Sequence, residues 1–100
     1  MSLKMWVDIH IVDNGIRKVV AKIGYDGKKY VLDITDDEYS DYMKGWYKNA
    51  EKENPQLKRD LSKAKNPYDY LNTFSKYYCG IYFGVSRVHE EDLLGDVSRK

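Results

Sequence analysis

The feature that most constrains this chain is a strict alternation of apolar and polar residues, broken by two glycine turns. Met5, Val7, Ile9 and Ile11 alternate with Trp6, Asp8, His10 and Val12. Strand side chains point to opposite faces in turn, so this run reads as a half-buried β-strand. Asp13-Asn14-Gly15 then precedes a second run, Ile16 to Ile23, and Asp26-Gly27 precedes a third that ends at Ile34. The expectation is a three-stranded antiparallel meander in the order 1-2-3, with the rest of the chain laid on one face.

Each turn implies a register. A two-residue turn at Asn14-Gly15 pairs Ile11 with Lys18 and Val7 with Lys22, which puts two lysines on the apolar face. A three-residue turn with Gly15 left-handed pairs Ile9 with Val19, Val7 with Ala21 and Met5 with Ile23. The face that must be buried selects the second. A two-residue Asp26-Gly27 loop then pairs Ile23 with Tyr30, Ala21 with Leu32 and Val19 with Ile34. The apolar face becomes Met5, Val7, Ile9, Ile11, Val19, Ala21, Ile23, Tyr30, Leu32 and Ile34. The other, wet face carries Trp6, Asp8, His10, Lys18, Val20, Lys22, Lys29, Val31 and Asp33.

Beyond the sheet, Thr35-Asp36-Asp37-Glu38 reads as a helix start, with Thr35 as cap and Glu38 completing a capping box. Tyr39, Tyr42, Met43, Trp46, Tyr47 and Ala50 recur at helical spacing, so a helix from Asp36 to about Glu53 should lay that stripe on the sheet. Asn54-Pro55 and Asn66-Pro67 each pair a capping residue with a proline suited to the first helical position. The first opens a short helix ending near Lys65. After the second, Leu71, Phe74, Tyr78, Ile81, Val85 and Val88 keep the spacing of one helical seam. Gly80, Gly84 and the β-favouring run from Tyr77 to Phe83 oppose it. The seam favours one long helix; the competing arrangement is a helix to about Tyr78 and a strand over 81–88 at the sheet edge.

One hundred residues make one domain, 1–100, of α+β class, with one sheet face packed by two or three helices. Residues 1–4 precede the strand pattern and read as a cloning remnant or loose start; 90–100 read as an acidic, partly loose end. A formal charge of +1 argues against a strongly basic nucleic-acid binder. The single cysteine excludes an internal disulfide and fits a reducing compartment, the cytoplasm. No apolar run approaches the ~20 residues of a membrane span, and the start lacks a signal-peptide pattern.

No catalytic or metal motif stands out, so the chain reads as non-enzymatic and without cofactor or metal. His10 beside Asp8 is the one general-base pattern, on a face expected to be flat. His89 should fall near a helix end, and Cys79 reads as a buried structural thiol. Ten tyrosines exceed what so small a core can hide, and tyrosine suits a surface with one wet side. The leading expectation is a small protein-interaction module that binds a partner or itself through a tyrosine-rich helical surface with Tyr70, Tyr77 and Tyr82. The alternative is a nucleic-acid-binding module using Lys58, Arg59, Lys63 and Lys65, with Tyr68 and Tyr70 to stack on bases. Small size, absent catalytic motifs and Tyr/Lys/Asn-rich composition fit an accessory protein of a phage or mobile element.

Overall fold

The computed structural model describes residues 3–90. The acidic end expected over 90–100 falls outside it apart from Glu90, as do Met1 and Ser2. Leu3 and Lys4 are not loose: the Lys4 N–H donates to Tyr25 O at 2.8 Å, and the Leu3 side chain covers Gly24, where a Cβ would lie 2.5 Å from its Cδ1.

The class is α+β, an antiparallel sheet with three α-helices on one face. In chain order come β1 (Met5–Asp13), β2 (Ile16–Tyr25), β3 (Tyr30–Ile34), a 3₁₀ turn (Asp37–Tyr39), α1 (Ser40–Glu53), α2 (Pro55–Ser62), α3 (Pro67–Tyr77), β4 (Phe83–Val85) and β5 (His89–Glu90). The strand order is β3-β2-β1-β4, and β5 also pairs with β1, so the sheet has five strands where three were expected.

The first register differs from the expected one. Asn14 and Gly15 both have positive φ, 53° and 78°, and form a two-residue turn that pairs Asp13 with Ile16 and Ile11 with Lys18. A bulge then shifts the pairing between Ile9 and His10: His10 faces Val19, Ile9 faces Ala21, and Val20 is left over. The extra residue restores apolar-to-apolar pairing, with Val7 against Ile23. It also exchanges the sides of the residues before it. Val19, expected in the core, is exposed, while Val20 is fully buried. Lys18 moves to the helix side, where its Nζ lies 3.6 Å from Asp13, 3.3 Å from Asp36 and 3.7 Å from Glu38.

The second hairpin is likewise offset by two. Tyr25 pairs with Tyr30 and Ala21 with Ile34, around a loop of Asp26, Gly27, Lys28 and Lys29. Asp26 Oδ1 accepts from the Lys28 and Lys29 amides at 2.8 and 3.0 Å, which tightens the longer loop. An even offset leaves each side chain on its expected face.

Local chemistry explains most helix ends. Asn54 Oδ1 accepts from Leu57 N, and Asn66 Oδ1 from Asp69 N, with proline at the first helical position each time. Before α1 the cap is Asp36, whose Oδ1 accepts from Glu38 N, in place of the expected Thr35. Thr35 instead extends the β2–β3 ladder, its N–H donating to Val20 O.

The expected long last helix stops at Tyr77. The chain reverses over 78–85, with Cys79 bridging to Gly84 and Val85 N–H donating to Tyr78 O. Both glycines are required. A Cβ on Gly80 would lie 2.8 Å from Phe83 O, and one on Gly84 would lie 2.7 Å from Gly80 O. β4 then pairs with β1, Ile11 against Phe83 and Ile9 against Val85.

The core lies between the sheet and all three helices. It joins Val7, Ile9, Ala21 and Ile23 of the sheet to Met43 of α1, Leu57 of α2, and Leu71 and Phe74 of α3. Among the described residues, no helix is long and apolar enough to cross a membrane.

Candidate interaction surface

The tyrosines separate into two groups. Tyr70 stacks on Tyr30 with ring centroids 3.8 Å apart and meets Phe74 edge-on at 5.7 Å. Burial, then the neighbouring Tyr47, raises its hydroxyl pKa far above the usual tyrosine range. Tyr47 is also raised, again first by burial. Tyr77 donates to Asp60 Oδ2 and so ties α3 to α2. That bond raises the Tyr77 pKa and lowers that of Asp60. Tyr70 and Tyr77 thus make their contacts inside the molecule.

Tyr82 is different. It is 74% exposed, in the reversal before β4, and among the described residues only its backbone is hydrogen-bonded, its carbonyl accepting from Val12 N–H at 2.9 Å. Ile81 beside it is 72% exposed, and its expected place in a helical seam disappears with the helix. The register runs Ile81 toward Asp13, which pairs with the 67% exposed Ile16. Tyr42 of α1, 56% exposed, meets Phe83 edge-on at 6.5 Å. Four large apolar side chains therefore stand in water at one end of the sheet. The sequence pointed to Tyr82 but not to Ile16, which was assigned to neither face, nor to Tyr42 and Ile81, whose spacing imitates core positions.

Carboxylates border this end. Asp13 accepts from the Tyr39 hydroxyl at 3.0 Å, Asp36, Asp37 and Glu38 open the 3₁₀ turn, and Asp41 lies in the first turn of α1. Lys18 offsets some of this charge and sits 5.1 Å from the Tyr39 ring centroid. Its pKa is raised, burial opposing the shift while the Asp36 hydrogen bond and charge drive it.

Arg17, exposed beside Ile16, also lies at this end; the cations expected to bind nucleic acid lie elsewhere. Lys58, Arg59, Lys63 and Lys65 are exposed on and just after α2. The start of α2 is separated from the acidic end by the length of α1, roughly 20 Å at 1.5 Å per residue. An open groove of about 420 Å³ between α2 and α3 holds Lys63 and Lys76, and also Asp60 and Asp69. Of the two tyrosines beside the cations, Tyr68 is exposed and Tyr70 is stacked away.

The sheet face without helices carries a second cluster. His89 lies in β5 opposite Trp6, not near a helix end. Its Nε2 is 3.5 Å from Asp8 Oδ2, its ring stacks on Trp6 at 5.6 Å, and Lys22 Nζ lies 5.5 Å from the Trp6 centroid. Asp8 thus faces His89 and not His10. His10 packs on Gly84, and its buried Nε2 has no hydrogen-bond partner among the described residues. The arrangement pins β5 to the sheet and does not build an oriented His10 base. Cys79 is exposed, contrary to expectation, because the reversal at 78–85 lifts it out of the helix. Among the described residues, no three His, Cys, Asp or Glu side chains converge as a metal site.

The chain matches no protein-family model, no curated protein and no solved structure at a significant level.

Proposed function

We propose that this protein is a non-enzymatic interaction module that docks another protein through Ile16, Tyr42, Ile81 and Tyr82. The observation that carries the reading is the exposure of these four side chains at one end of the sheet. Clustered exposed apolar side chains with polar borders are typical of recognition sites, and aromatic residues are enriched there. The bordering carboxylates favour a partner whose apolar contact is ringed by lysine or arginine. The tyrosine-rich surface is thus narrower than the sequence suggests and centres on Tyr82, because Tyr70 and Tyr77 are engaged internally.

The test is capture from source lysate by the tagged parent and by an Ile81→Ser/Tyr82→Ser variant, each with and without nuclease. The expected result is a discrete, nuclease-resistant band with the parent, lost with the variant while its melting temperature is unchanged. Equal capture by both proteins would refute the assignment. A second reading, nucleic-acid binding by Lys58, Arg59, Lys63 and Lys65, is supported by the exposure of these cations beside Tyr68. It predicts nuclease-sensitive capture and an affinity that falls steeply with salt.

A further inference from the structure

Strand β3 ends the sheet, and its outer edge is open among the described residues. The hydrogen-bond phase of that edge follows from two bonds that flank the strand. Asp26 N–H donates to Lys29 O, and Thr35 N–H donates to Val20 O. In an antiparallel ladder, bonded and non-bonded pairs alternate. Val31 and Asp33 therefore bond inward to Gly24 and Lys22. The N–H and C=O groups of Tyr30, Leu32 and Ile34 point outward, and none has a partner among the described residues. Their side chains share the helix-side face, packed against the core but only half buried.

An open edge recruits another strand. The sequence Tyr30-Val31-Leu32-Asp33-Ile34 is suited to pair with itself about Leu32. That register sets Leu32 against Leu32 of the second copy and Tyr30 against Ile34 of the second copy. All outward amides are then matched, and the helix-side apolar rows become continuous. The flanks agree in sign: the ladder carries Lys28 and Lys29 toward the exposed Asp37 of the second copy, past Asp36, whose carboxylate is held by Lys18, so opposite charges come near at both ends. A two-fold axis through Leu32 closes the contact, so the association stops at two copies.

We propose that the protein forms a two-fold dimer through the β3 edge, centred on Leu32. This goes beyond the docking surface described above and uses none of its apolar residues. The contact is short and should be weak, so it is read across loadings up to about 1 mM.

The test combines sedimentation with residue-resolved amide exchange on the full chain. The parent should pass from monomer to dimer as loading rises. The Tyr30, Leu32 and Ile34 amides should gain protection in step, while those of Val31 and Asp33 are protected at every loading. Leu32→Pro removes an N–H that the monomer does not use, and should be a folded monomer throughout. Should that variant unfold, Lys28→Glu/Lys29→Glu decides: both lysines are exposed, and reversal should raise the dissociation constant by about tenfold or more. A parent that stays monomeric at every loading overturns the proposal. So does a dimer whose Tyr30, Leu32 and Ile34 amides exchange at the monomer rate, or one that the lysine reversal leaves as tight as the parent.

Discussion

Tyr70 and Tyr82 belong to the same tyrosine-rich stretch and meet opposite surroundings. Tyr70 lies on Tyr30 and against Phe74, where it joins the sheet to α3. Tyr82 projects from a reversal held by backbone bonds and two close-packed glycines. The difference arises from the partner each backbone segment brings. The core side of α3 carries Tyr70 into contact, while Tyr42 and Tyr68 on the outer sides of their helices, like Tyr82 in the reversal, stay exposed. The first group stabilises the fold and the second stands exposed among the described residues.

The largest expected effect comes from removing an engaged ring. Tyr70→Ala deletes a stacked and half-buried side chain and should destabilise the domain by about 3 kcal/mol, whereas Tyr82→Ser should stay within ~0.5 kcal/mol of the parent. Denaturant unfolding of the two variants checks this, and comparable losses would erase the distinction.

Alkaline pH should act through the engaged tyrosines, with Lys18, whose pKa is also raised, adding to the loss. The pKa values of Tyr70, Tyr47, Tyr30 and Tyr77 are raised in the folded state, the first three by burial and Tyr77 mainly by its bond to Asp60. Groups raised on folding give their full stabilisation below the unfolded value, near 10, and lose it as pH rises through the folded values. The melting temperature should therefore be level around neutral pH and fall above about pH 10. Tyr70→Phe should blunt that fall, and Tyr82→Phe should not. Tyr77→Phe should have the smallest effect of the engaged set, since it loses the tie to Asp60 and keeps the ring; a melt with a modest drop is expected.

The same contrast shows what was legible in the sequence. Faces were legible where parity decides them: both hairpins slipped by two in part or all of their length, and Val7, Ile9, Ala21 and Ile23 still reached the core. The bulge at Val20 was not, because it takes Lys22 off the apolar face, as a longer turn also would, while leaving Lys18 opposite Ile11. The Asn54-Pro55 and Asn66-Pro67 caps were legible because their bonds span only three residues. The strand after Gly80 was obscured by an apolar spacing that imitates a helix, although the glycines opposed it. The fates of the tyrosines were hidden for a different reason. Tyr30 meets Tyr70, and Tyr42 meets Phe83, only after the chain has folded back on itself.

The most direct test of this division is residue-resolved tyrosine nitration of the folded parent, followed by mass spectrometry. Tyr82, Tyr42 and Tyr68 should react first, while Tyr70, Tyr47 and Tyr30 lag until the protein unfolds. Nitration of Tyr70 at the rate of Tyr82 would contradict it.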